Sequence, residues 1–128
     1  MKPLTHEWIE KAEGDFASAQ REIRARKSPN YDATCFHSQQ CIEKYIKARL
    51  QEADIQFGKI HDLSVLLDLV LMVEPFWEPF RQSLRVLSAY AVEFRYPGQS
   101  ADRETAIEAF RICRNIRKVI RESMKLEK

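Results

Sequence analysis

The stretch Asp32 to Ala53, DATCFHSQQCIEKYIKARLQEA, constrains this chain more than any other. Wound at about 100° per residue, it points Phe36, Cys41, Ile42, Tyr45, Ile46, Ala48, Leu50 and Ala53 around most of its circumference. A helix with that pattern needs apolar neighbours on several sides. The remaining sector, roughly a third of the circumference by the same projection, collects His37, Gln40, Glu43, Lys44, Lys47 and Gln51. Those groups require polar partners along one seam.

The flanking sequence supplies the neighbours. Trp8, Ile9, Ala12, Phe16, Ala19 and Ile23 recur at three- and four-residue steps and predict a first helix, with Thr5 placed to cap it. Arg24, Arg26 and Lys27 suit the negative end of its dipole, and Ser28-Pro29-Asn30 breaks it. The central helix then begins near Asn30 or Asp32. Asp62 is placed to cap a third helix, whose buried stripe is Leu63, Leu66, Leu67 and Val70. The run VLLDLVLMV suits a strand by propensity, but no second strand exists to pair with it.

Pro75 and Pro79 turn the chain, which restarts as a fourth helix carrying Phe80, Leu84, Leu87, Ala91 and Phe94 and ends at Arg95-Tyr96-Pro97-Gly98. Ser100 or Asp102 caps a last helix with Ala106, Ala109, Phe110, Cys113, Ile116, Ile120 and Met124 on one side. The expected fold is all-α: an up-and-down antiparallel helical bundle of four main helices plus a short additional helix, in a single domain over residues 1-128.

Composition narrows the function classes. Three glycines in 128 residues argue against a turn-rich β architecture, and a net charge of +2 is too mild to imply nucleic acid by itself. The three cysteines are odd in number and form no Cys-x-x-Cys pair, so reduced thiols in a cytoplasmic protein are expected rather than a disulfide framework or a zinc site. The N-terminus lacks the apolar core of a signal peptide, and the most apolar run is too short for a bilayer and contains Asp68, so no membrane is expected.

Catalytic templates fail. His6-Glu7 has Glu10 where a zinc-protease helix needs its second histidine, no histidine lies three residues after a glutamate, and no glycine-rich phosphate loop exists. Cys35 and His37 diverge by about 200° on a helix. No metal, no catalytic residue and no required cofactor are expected, and the balance leans against an enzyme.

What remains is a constellation of a binding kind. His37, Gln40, Lys44 and Lys47 share the seam of the central helix, His61-Asp62 opens the third helix, and Arg95-Tyr96 closes the fourth. Cations beside an aromatic ring and a neutral imidazole suit a phosphate and a base, which makes a nucleotide the candidate ligand. The plainer alternative is that these groups satisfy one another between helices, with Asp62 as a cap and Arg95 paired to Asp15 or Glu93. Two surface features stand beside them. Arg111, Arg114, Lys118, Arg121 and Lys125 fall on one face of the last helix, as a solvated row or as a contact for an acidic partner or nucleic acid. Phe76, Trp77 and Phe80 are either core or anchors for a partner protein.

The same residues carry a resemblance. The order CFHSQQCIEKYIKARL, IHDLSVLL, AYAVEFRYPG and TAIEAFRICRNIRKVI, with KAEGDFASA in the first helix, resembles a HEPN domain over nearly the whole chain. The Gln-Gln, Glu-Lys and Lys-Ala pairs of the central helix are its specific part. The resemblance implies a homodimer and a minimal nucleotidyltransferase as partner, in a toxin-antitoxin-like pair. It implies nucleotide-binding candidates at Gln40, Lys44, His61, Asp62, Arg95 and Tyr96. Other members of the family are RNA-cleaving toxins that use an Arg-x4-6-His motif late in the fold. Here no histidine follows His61 and no arginine lies four to six residues before His37 or His61, so metal-independent RNA cleavage is the lesser expectation.

Overall fold

The computed structural model describes residues 1–127. Its elements are α1 (Pro3–Arg24), α2 (Tyr31–Glu52), α3 (Leu63–Val70), a 3-10 turn (Pro75–Phe80), α4 (Arg81–Glu93) and α5 (Arg103–Ser123), with no strand among the described residues.

α2 is the packing centre. Ile42, Tyr45, Ala48 and Leu50 are fully buried and Ile46 nearly so, because α1, α3, α4 and α5 all pack against this one helix. Complete burial of a side chain of this size stabilises by about 2 kcal/mol. Asn30 caps α2, its side chain accepting from the Ala33 amide at 2.9 Å.

Side-chain ties fix the directions. The amide of Lys2 donates to Glu52 at 3.0 Å and the amide of Asn30 donates to Glu22 at 2.9 Å, so α1 and α2 run antiparallel with both ends joined. The Ala101 amide donates to Asp32 at 2.7 Å while Arg121 donates to Tyr45, which lays α5 parallel to α2. α1 crosses α5 in the opposite sense, with Glu13 on Arg117 and Phe16 stacked on Phe110. The result is an up-and-down bundle of four long helices with α3 as a short fifth.

Thr5 departs from its expected role. α1 begins at Pro3 with Lys2 at its N-cap and no side-chain cap bond, so the Thr5 hydroxyl lies one turn inside. Fully buried, it donates to Glu52 at 2.9 Å and ties α1 to the end of α2. The aromatic cluster after α3 divides: Trp77 is core at 3% exposure, Phe80 is half-buried, and Phe76 stands 91% exposed. Asp62 caps α3 by accepting from the Ser64 amide, and Asp102 caps α5 by accepting from the Thr105 amide. The chain leaves α4 through Gly98, whose φ of +92° lies in the left-handed region that favours glycine. No helix among the described residues is long and apolar enough to cross a membrane.

Candidate functional site

The polar seam of α2 separates into two arrangements. On the side facing α1, the buried carboxylate of Asp15 accepts from Lys44 Nζ at 2.6 Å and from His37 Nδ1 at 2.8 Å. This one acid therefore holds two of the candidate bases, and Arg95 pairs with neither Asp15 nor Glu93, the partners the plainer alternative offered it.

On the side facing α3 the organising group is Glu43, 4% exposed. Gln39 Nε2 donates to its Oε1 at 3.1 Å, while Lys47 Nζ at 3.1 Å and His61 Nδ1 at 2.9 Å share its Oε2. Lys47 is 3% exposed, and its ammonium lies 5.5 Å from the centre of the Trp8 ring and 5.7 Å from that of Phe57. A lysine removed from water survives on an opposite charge and ring faces together. A carboxylate only accepts, so the His61 nitrogen that meets Glu43, Nδ1, carries a proton.

Above Glu43 a groove of about 580 Å³ opens between α2, the start of α3 and α4. Gln40, His61, Asp62 and Arg95 line it together with Phe36, Gln39, Glu43, Ser88 and Val92. That volume falls within the range of small-ligand sites, roughly 300–1,000 Å³. Its wall mixes an aromatic face, two amides, an imidazole, a guanidinium and two carboxylates. Arg95 is exposed and carries no ion pair among the described residues, which leaves its planar donor fork available to an anion. Asp62 already commits one oxygen to capping α3.

Four of the eight residues of the constellation thus share one groove. The other four lie elsewhere: His37 and Lys44 sit on Asp15, Lys47 is enclosed by Glu43 and the two rings, and Tyr96 is 63% exposed beyond the end of α4. Glu43, Gln39 and Phe36 were not among the candidates. A signal for two of them is present in the sequence, since Gln39, Glu43 and Lys47 follow at four-residue steps along a largely apolar helix.

Comparison with known proteins decides the family. The HEPN domain profile matches residues 5–123. The chain belongs to the HEPN domain family. Two solved structures share its fold. TT1696 from Thermus thermophilus superposes with a TM-score of 0.75 at 24% identity, covering 92% of this chain and 96% of that one. ST0689, an archaeal HEPN homologue, superposes with a TM-score of 0.67 at 24% identity, covering 96% and 98%. No curated protein matches the chain in sequence. The HEPN profile spans all five helices from Thr5 to Ser123, so the groove and the Asp15 and Glu43 clusters all lie within the family domain. Among the described residues of this HEPN chain, no group of three or more histidine, cysteine, aspartate or glutamate side chains is placed to hold a metal.

Proposed function

We propose that this HEPN protein is a non-catalytic helical module that binds a nucleotide in the groove between α2, α3 and α4, and that it works as a homodimer beside a minimal nucleotidyltransferase. The observation that supports this most is the convergence of Gln40, His61, Asp62 and Arg95, from separate elements, on one groove of small-ligand size. Arg95 receives a phosphate oxygen, Phe36 offers a ring face to the base, and the amides of Gln39 and Gln40 meet its polar edge. Asp62 accepts from sugar hydroxyls. For the protein partnership, the support is the exposed apolar surface of Met72 and Phe76, where aromatic and methionine side chains can anchor another chain.

Calorimetric titration with ATP, ADP and AMP tests the ligand. Binding weakened about tenfold by Arg95→Ala, a loss of about 1.4 kcal/mol, is the expected result. No heat and no shifted amide resonances at ~1 mM nucleotide, the millimolar end of the affinity scale, would remove the nucleotide reading. Sedimentation and co-purification with a nucleotidyltransferase test the assembly.

A second reading rests on one observation of its own: Glu43 orients His61 on the same groove that Arg95 lines. An imidazole so held can accept a proton from an RNA 2′-hydroxyl while a guanidinium stabilises the phosphorane charge. Incubation with structured RNA in EDTA decides it. Cleavage abolished by His61→Ala would replace the non-catalytic reading.

A further inference from the structure

A second polar cleft lies on the far side of α2. Tyr45, which holds Arg121, and Glu43, which lines the groove, are two residues apart on α2 and so point about 200° away from each other. The cleft, about 340 Å³, runs along α5 between Arg114, Arg117, Lys118 and Arg121, with Asn115, Glu122 and Leu126 completing it. Its cations are of two kinds.

Arg117 and Arg121 form a fixed floor, 18% and 15% exposed at their side chains. Arg117 donates to both Glu13 oxygens, at 2.6 and 2.7 Å, and lies over the Phe16 ring at 4.2 Å. Arg121 donates to the Tyr45 hydroxyl at 2.9 Å and to the Glu127 carbonyl. Arg114 and Lys118 at its rim, and Arg111 just before it on α5, are exposed and carry no ion pair among the described residues. Of the nearby acids, Glu13 is paired with the floor, and Glu108 accepts from the Tyr90 hydroxyl on α4. Glu122 is the acid left in the cleft.

We infer that this face of α5 binds the phosphodiester backbone of nucleic acid, independently of the groove. Arg111, Arg114 and Lys118 stand in line over about 10 Å of helix, a span set by the rise of 1.5 Å per residue. Guanidinium forks match phosphate oxygens in pairs. The surface has no aromatic or methionine anchor of the kind a protein interface needs; Ile107 is the one exposed large apolar side chain on α5. Contacts of this type carry no base preference and are governed by counterion release.

The test is fluorescence anisotropy with a labelled 20-nucleotide oligo-U. Three phosphate contacts give a log–log salt slope of about −2, so affinity falls roughly tenfold from 50 to 150 mM salt. The double variant Arg114→Gln/Lys118→Gln changes exposed side chains only, with folding checked by its thermal melt. It should weaken binding at least tenfold and flatten the slope to about −0.7. Arg85→Gln/Lys59→Gln removes the same charge from exposed positions elsewhere and should leave affinity within twofold. No binding at 50 mM salt would overturn the inference, as would equal loss in both double variants. Poly-glutamate displacing the oligonucleotide at equal charge would overturn it in favour of an acidic protein partner.

Discussion

Glu43 and Lys47, one turn apart on α2, form a 3.1 Å ion pair whose side chains are 5% and 4% exposed. An i, i+4 pair on a helix surface contributes only a few tenths of a kcal/mol. Here the surrounding helices have removed water from both charges, so neither tolerates loss of the other.

Glu43→Gln should therefore destabilise by about 3–5 kcal/mol, because it strands a buried ammonium between two rings. Combining it with Lys47→Met should restore most of that loss, since the pair is replaced by an uncharged one of similar volume. Urea unfolding of the parent and the two variants measures this. Equal destabilisation in the single and double variants would show that the ammonium was never the cost.

Glu13 ties the first helix to the last across 104 residues of sequence. Burial acts to raise its pKa, but the hydrogen bonds from Arg117 and Tyr45 and the charges of Arg117 and Arg121 outweigh it, so the carboxyl titrates below its usual 4.5. A carboxylate whose folded pKa is depressed adds stability above its unfolded pKa and loses it as pH falls through the folded value. At pH 7, Glu13→Gln should cost about 1 kcal/mol, a modest figure because the side chain is partly solvated. The gap in Tm between variant and parent should close as the pH drops below about 4.5, the unfolded value. A pH-independent gap would mean that packing rather than charge holds Glu13.

All three cysteines are buried and free. Burial pushes the Cys35 thiol up to about 12, and Cys41 is driven well above its ordinary value first by burial and then by the adjoining Cys113. A thiol that cannot ionise is a poor nucleophile. The folded protein should leave an aromatic disulfide reagent unreacted at pH 8 for hours, and three thiols should react once guanidinium unfolds it. Fast reaction in the folded state would require an open path to one of them.

Phe76 and Trp77 are neighbours with opposite fates. Trp77→Ala should cost about 3–5 kcal/mol, the range for deleting a large core aromatic. Phe76→Ala should change stability by less than about 0.5 kcal/mol and should affect only association with a partner. Thermal melts separate the two in one experiment.

Much of this architecture is readable without coordinates. The α2 stripe and its start near Asn30, the caps at Asp62 and Asp102, and the breaks at Pro29, Pro75 and Pro97 act over one or two turns of chain, where spacing and residue type carry the information. The convergence of Gln40, His61, Asp62 and Arg95 is also within reach of the sequence, because each sits at the end of a helix or on its polar seam. Tertiary structure alone decided which acid each base would meet. Asp15 took His37 and Lys44 rather than Arg95, and Glu43 took Lys47 and His61. Glu13 fixed Arg117 and, with Tyr45, drew Arg121 inward from a row that spacing alone shows as uniform. Helical periodicity is a property of the local backbone, whereas the partner of a charge depends on which helices exclude water from it, and that is set only when they pack.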